Sequence, residues 1–133
     1  MTVTAPAARS AGPLFSALVG LASLAVLLQG VWAGMFVREG RKDDNTWVEV
    51  HSRGADVAIL LAILAAVVAI ARLRARRDLL VGSIALVVLL VVESYIGGVV
   101  GDHNALEVIH FPLAMALLAL SVWLPVRARS RRS

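Results

Sequence analysis

A chain of 133 residues that is 59% hydrophobic and 17% charged, with a mean hydropathy of +0.84, excludes an ordinary soluble domain. The net charge of +4 would suggest nucleic acid in a soluble protein, but the cations stand at the ends of apolar runs, where a bilayer accounts for them, so no nucleic-acid role follows. Cysteine is absent, which removes disulfides, thiol catalysis, iron–sulfur clusters and haem attached through Cys-x-x-Cys-His.

Residues 1–12 are small and polar with one cation, Arg9, and read as a flexible tail. Four apolar segments follow, at 13–37, 54–71, 79–100 and 105–125, each at or near the length of about 20 residues that spans a bilayer. The expected fold class is all-α: an integral membrane four-helix bundle over residues 13–125, with a basic tail at 126–133. The first run is longer than a signal peptide's apolar core of about 7 to 15 residues and ends without a small-x-small cleavage site, so it reads as a permanent helix.

The first helix closes with Gln29, Gly30, Trp32 and Gly34. The Gly-x-x-x-Gly of Gly30 and Gly34 predicts close helix packing or, because the side chains are missing, a slot for a flat cofactor. The loop after it balances Arg38, Arg41, Lys42 and Arg53 against Glu39, Asp43, Asp44 and Glu49. The second loop sets Arg72, Arg74, Arg76 and Arg77 against Asp78 alone; the third has acids and no Lys or Arg; and the C-terminal tail adds Arg127, Arg129, Arg131 and Arg132. Positive-inside bias therefore places both termini and the second loop in the cytoplasm of a multi-pass plasma-membrane protein, with all three histidines at the outer side.

The two hairpins align. Gln29 to Gly34 matches Glu93 to Gly98 at an offset of 64 residues, and His51 matches His110 at 59, which predicts a parallel pseudo-repeat of two helical hairpins. Glu93, inside an apolar run, is an intramembrane acid and a functional candidate by that fact; Gln29 is its polar counterpart, and contact between the two would join helices 1 and 3 near Gly30, Gly34, Gly97 and Gly101. His51 and His110, at the start of helices 2 and 4, could face one another and ligate one metal from opposite sides. Gly54, Ala55 and Ala58 on the face of His51 leave room for a ring; Leu113, Ala114 and Leu117 on that of His110 supply apolar packing. Histidines with wetted polar tips in the headgroup region are the plainer reading. His103, without a counterpart, reads as solvated.

Arg38 and Arg53 are the cations available for a cofactor's carboxylates, with snorkelling or an Arg53–Asp56 pair as the alternative. Glu107, three residues before His110, is expected at its other ring nitrogen.

Gln29 or Glu93 followed by glycines at a helix end, an acidic loop, WVEVHSRG at residues 47–54 and LEVIHFPLAMALLAL at 106–120 together resemble one four-helix half of haem A synthase. The likeness covers about residues 20–122. The resemblance implies His51 and His110 as the axial pair of a b-type haem, with Gly97 and Gly98 at the cofactor. The chain is also similar, in its Ala-, Arg- and Val-rich style, to small four-helix membrane proteins of actinobacteria. The leading expectation is a haem-b-binding membrane protein for electron transfer or haem handling. A haem-free accessory or assembly subunit is the second, and quinone or proton and substrate transport chemistry at Glu93 the third. Expected partners are membrane lipid and a larger membrane complex or a second copy; whether the protein is an enzyme stays open.

Overall fold

The computed structural model describes residues 7–39, 46–100 and 104–130. Among them are four long helices, α1 (Ala7–Glu39), α2 (Thr46–Arg72), α3 (Arg77–Val99) and α4 (Glu107–Arg129), with a 3₁₀ turn at Asn104–Leu106 before α4 and no strand. All four are long and apolar enough to cross a membrane, which makes this a multi-pass membrane protein.

Each helix is hydrophobic around most of its circumference, as a helix in lipid must be. Leu21, Leu24, Leu60, Val67, Val88, Val91 and Met115 are among the exposed apolar side chains; they face outward, where hydrocarbon replaces water. Inward-facing positions are small. On α2 the buried residues are Gly54, Ala58, Ala62, Ala65, Ala66 and Ala69, recurring at three- and four-residue steps on one face. This alanine face lets α1 approach closely with Phe15, Val19, Ala22, Ala25 and Val26, which matters in lipid because packing, not a hydrophobic drive, joins helices there. The opposite half packs larger residues, Leu79, Leu86 and Leu90 of α3 with Leu117 and Leu124 of α4.

The helices form a square: α1 packs on α2 and α4, and α3 on α2 and α4. α1 and α3 stand diagonally and, among the described residues, have no extended interface. The expected α1–α3 seam is therefore corrected. Gly30, Gly34 and Gly98 meet nothing within 4 Å of where a Cβ would stand, so the first Gly-x-x-x-Gly packs no helix; Gly101 lies outside the described residues. Short connections explain the square, since each helix must return beside its predecessor and the fourth closes on the first.

Three boundaries extend well past expectation, the first being the start of α2, at Thr46 and not at 54. α1 begins at Ala7 and passes through Pro13, while α4 runs on to Arg129. Alanine-rich sequence before Pro13 favours the helix, and arginines at the end of α4 suit the negative end of its dipole.

Candidate functional site

One polar side chain from each helix enters the bundle near the end opposite the chain termini: Gln29 from α1, His51 from α2, Glu93 from α3 and His110 from α4. They pair within hairpins. His51 Nδ1 lies 3.1 Å from the Gln29 backbone carbonyl oxygen, which has a lone pair to spare beyond its helical bond. His110 Nδ1 lies 2.9 Å from Glu93 Oε1. The rings of His51 and His110 are themselves within electrostatic range of each other.

The first pair has two arrangements. A carbonyl only accepts, so the Gln29 contact requires the proton on His51 Nδ1 and leaves the lone pair on Nε2. The Gln29 side chain, with its amide oriented by the surrounding network, donates to the His51 carbonyl at 2.7 Å and accepts from the Ala55 N–H at 3.1 Å. The same amide nitrogen stands 3.0 Å from Nδ1, so the opposite tautomer would accept from it and carry its proton on Nε2. Gln29 thus ties α1 to a point one turn along α2 in either case.

The second pair is close but poorly aligned. Despite the 2.9 Å separation, neither Glu93 oxygen nor His110 Nδ1 makes a hydrogen bond among the described residues. Glu93 is only 8% exposed, and a buried polar group left in this state is costly. An orphaned carboxyl beside an orphaned imidazole, on a face where Leu86 and Leu90 are the preceding buried residues, is the strongest chemical irregularity in the bundle.

Glycines shape both pairs. A Cβ on Gly97 would stand 3.0 Å from His110 Cε1, so the ring lies directly over the α3 backbone. A Cβ on Gly54 would fall inside the volume of the Trp32 indole and the Gln29 amide. The room expected beside His51 is thus filled by Trp32, an aromatic ring supplied by the chain itself.

The remaining expectations divide. Glu107 is exposed, and the nitrogen assigned to it belongs to Glu93, because α3 brings its acid to the inner face while Glu107 points outward in the first turn of α4. Gln29 and Glu93 are on diagonal helices and take separate histidines, not each other. Arg53 meets Glu49 at 3.8 Å on the surface and not Asp56; Arg38 is exposed in the last turn of α1; His103 lies outside the described residues. Arg53 and Glu49 stand with Thr46 and Trp32 on an apolar groove of about 610 Å³ between α1 and α2. Neither His51 nor His110 lines this groove, so it is not the space between the two imidazoles.

Among the described residues no three His, Asp or Glu side chains gather to hold a metal ion. A centre with three or more such ligands is thereby excluded there, while a pair of imidazoles needs no third. Sequence reasoning missed two features: the Trp32 indole over Gly54, signalled only by both lying three residues past Gln29 and His51, and the clasp of Arg76, Asp78 and Arg127 at the other end of the bundle. Compared with family models, with curated proteins and with solved structures, the chain matches none.

Proposed function

We propose that this protein is a membrane-embedded b-type haem protein, with His51 and His110 as axial ligands, serving electron transfer or haem handling. The observation that carries the reading is the treatment of the two Nδ1 atoms: a backbone carbonyl faces one at 3.1 Å and a carboxylate the other at 2.9 Å. Metal-ligating histidines almost always give their second nitrogen to such a partner, which sets the tautomer and leaves Nε2 to the metal. The equivalent pairing in both hairpins supports a parallel pseudo-repeat.

The two imidazoles suit such a group, while the room beside His51 is taken by the Trp32 indole, which a bound haem would have to displace. The bare Gly97 backbone gives the His110 ring its place, and the orphaned Glu93 carboxylate calls for positive charge, which iron between two imidazoles provides. His51 and His110 would hold the haem, Gln29 and Glu93 would orient the rings, and Arg38 and Arg53 are the cations for its carboxylates. When bound, haem supplies one-electron chemistry tuned by its axial ligands and their surroundings. The chain's own part would be to hold His51 Nδ1 against Gln29, pack Trp32 and the leucines around the site, and keep a carboxyl beside His110. The charge distribution supports both termini in the cytoplasm and the site near the outer face of the plasma membrane, and the exposed apolar faces suit a larger membrane complex or a second copy.

A second reading has its own support: Glu93, without a hydrogen bond, suits proton or quinone chemistry in a haem-free protein. An absorption spectrum of purified protein supplemented with haem separates them. We expect a six-coordinate low-spin spectrum, abolished by His51→Ala and by His110→Ala and kept by His103→Ala. A wild type that stays colourless sinks the cytochrome reading and leaves Glu93 and the accessory role.

A further inference from the structure

The opposite end of the bundle carries a different chemistry. Of its arginines, Arg76 and Arg127 are engaged by Asp78, the one acid there among the described residues. Arg72, Arg74, Arg77 and Arg129 are exposed and have no acid to face. Between the start of α1 and the end of α4 lies a cleft of about 210 Å³, lined by Gly12, Pro13, Ser16, Ala17, Ala128 and Arg129. Small residues open it, and Arg129 stands at its rim. Ser16 is 6% exposed, yet its hydroxyl makes no hydrogen bond with another described residue and lines this cleft. Its oxygen is not sealed among protein atoms but opens onto the cleft, from where it can donate to an acceptor outside the chain.

We propose that this cleft seats the phosphodiester headgroup of an anionic membrane phospholipid, with Ser16 donating to a phosphate oxygen and Arg129 pairing with its charge. The source is lipid and not free phosphate because the cleft opens where the membrane-spanning helices end, at headgroup level, and its lining by exposed Ala17 and buried Ala128 is apolar, as an acyl chain's first carbons require. Basic pockets between helices at the positively charged side of a membrane protein bind anionic headgroups on these grounds. The surrounding arginines raise the local anion concentration, whereas Arg129 and Ser16 provide the address.

The test is native mass spectrometry of the full chain in detergent, titrated with dioleoyl phosphatidylglycerol, with dioleoyl phosphatidylcholine or with inorganic phosphate, and thermal melting in parallel. Phosphatidylglycerol should stay bound and raise the melting temperature, phosphatidylcholine should do neither, and Arg129→Gln should weaken retention about five-fold, ~1 kcal/mol. Ser16→Ala should weaken it while Arg77→Gln, away from the cleft, leaves it within about two-fold. Both arginine variants are exposed and should melt like the wild type without lipid, which separates lost binding from lost fold. Equal retention of the two lipids, equal losses in Arg129→Gln and Arg77→Gln, or stabilisation by inorganic phosphate matching that of phosphatidylglycerol each overturn the assignment.

Discussion

A carboxyl in hydrocarbon must be neutral, paired or functional, and Glu93 shows how narrow the choice is. Its neighbour His110 is close enough to share a proton and too poorly aligned to count as satisfied. Any change that moves the imidazole therefore alters the site before it alters the fold. Gly97→Leu should push the His110 ring, because even a Cβ there would stand 3.0 Å from Cε1. The expected result is loss of the six-coordinate spectrum with the helical circular dichroism retained, and a variant that binds haem like the wild type would mean the ring is held elsewhere. Gly54→Leu differs in kind, since it collides with Trp32 and Gln29 inside the α1–α2 interface. Overpacking of that sort costs about 1 to 3 kcal/mol, visible as a lower melting temperature in detergent. Unchanged melting would show that the indole swings freely into the groove.

Helix ends set the next scale. Asp78, in the first turn of α3, accepts from Arg76 Nε and Nη2 at 3.1 Å each and from Arg127 Nε at 3.0 Å, while Arg76 Nη2 also donates to the Arg127 carbonyl at 3.0 Å. The fork on the carboxylate is two-pronged, the strong geometry for this pair. An acid thus sits at the positive end of α3, cations at the negative end of α4, and one of α4's last carbonyls is capped by Arg76, the residue before α3. The clasp fastens the end of the square where both helices leave the core, beyond Leu79 and Leu124. Asp78→Ala should lower stability by about 1 to 2 kcal/mol, less than for a dry site because the groups are partly exposed. A double-mutant cycle with Arg127→Gln measures it; simple additivity of the two losses would mean that the pair contributes nothing.

For the whole molecule, orientation decides where the chemistry happens. Nine of the thirteen Lys and Arg lie in the tails and the second loop, and the bundle brings the start of α1 and the end of α4 together at that end. Reporter fusions at Ser133 and within residues 41–44 should report opposite sides, with Ser133 inside. A cytoplasmic first loop would turn the protein over and put the histidine site at the inner face. The four-cornered packing also explains why the polar layer forms two pairs: each hairpin closes its own contact, and the diagonal distance keeps Gln29 from Glu93.

Much was legible in the chain itself, because a hydrocarbon environment leaves so few options. A backbone in lipid must bond internally, so four apolar runs of spanning length could only be four helices, and the places of His51 and His110 at equivalent helix starts follow from counting residues along them. The neighbours of those residues were not legible. Hydropathy says which residues avoid water but not which helix each faces, and when a helix is apolar on all sides no stripe marks its partner. Gly30 and Gly34 carried the sequence pattern of a packing seam and meet open space; Gly97, which shares that pattern with Gly101, meets the His110 ring instead of α1, and Gly54, without it, meets Trp32. Glu107 was nearer in sequence to His110 than Glu93, which reached the ring because α3 lies beside α4 with that face turned in. Composition and spacing determined the number, type and length of the helices. The order of the square, set by which small faces allow the closest approach, decided which polar groups meet.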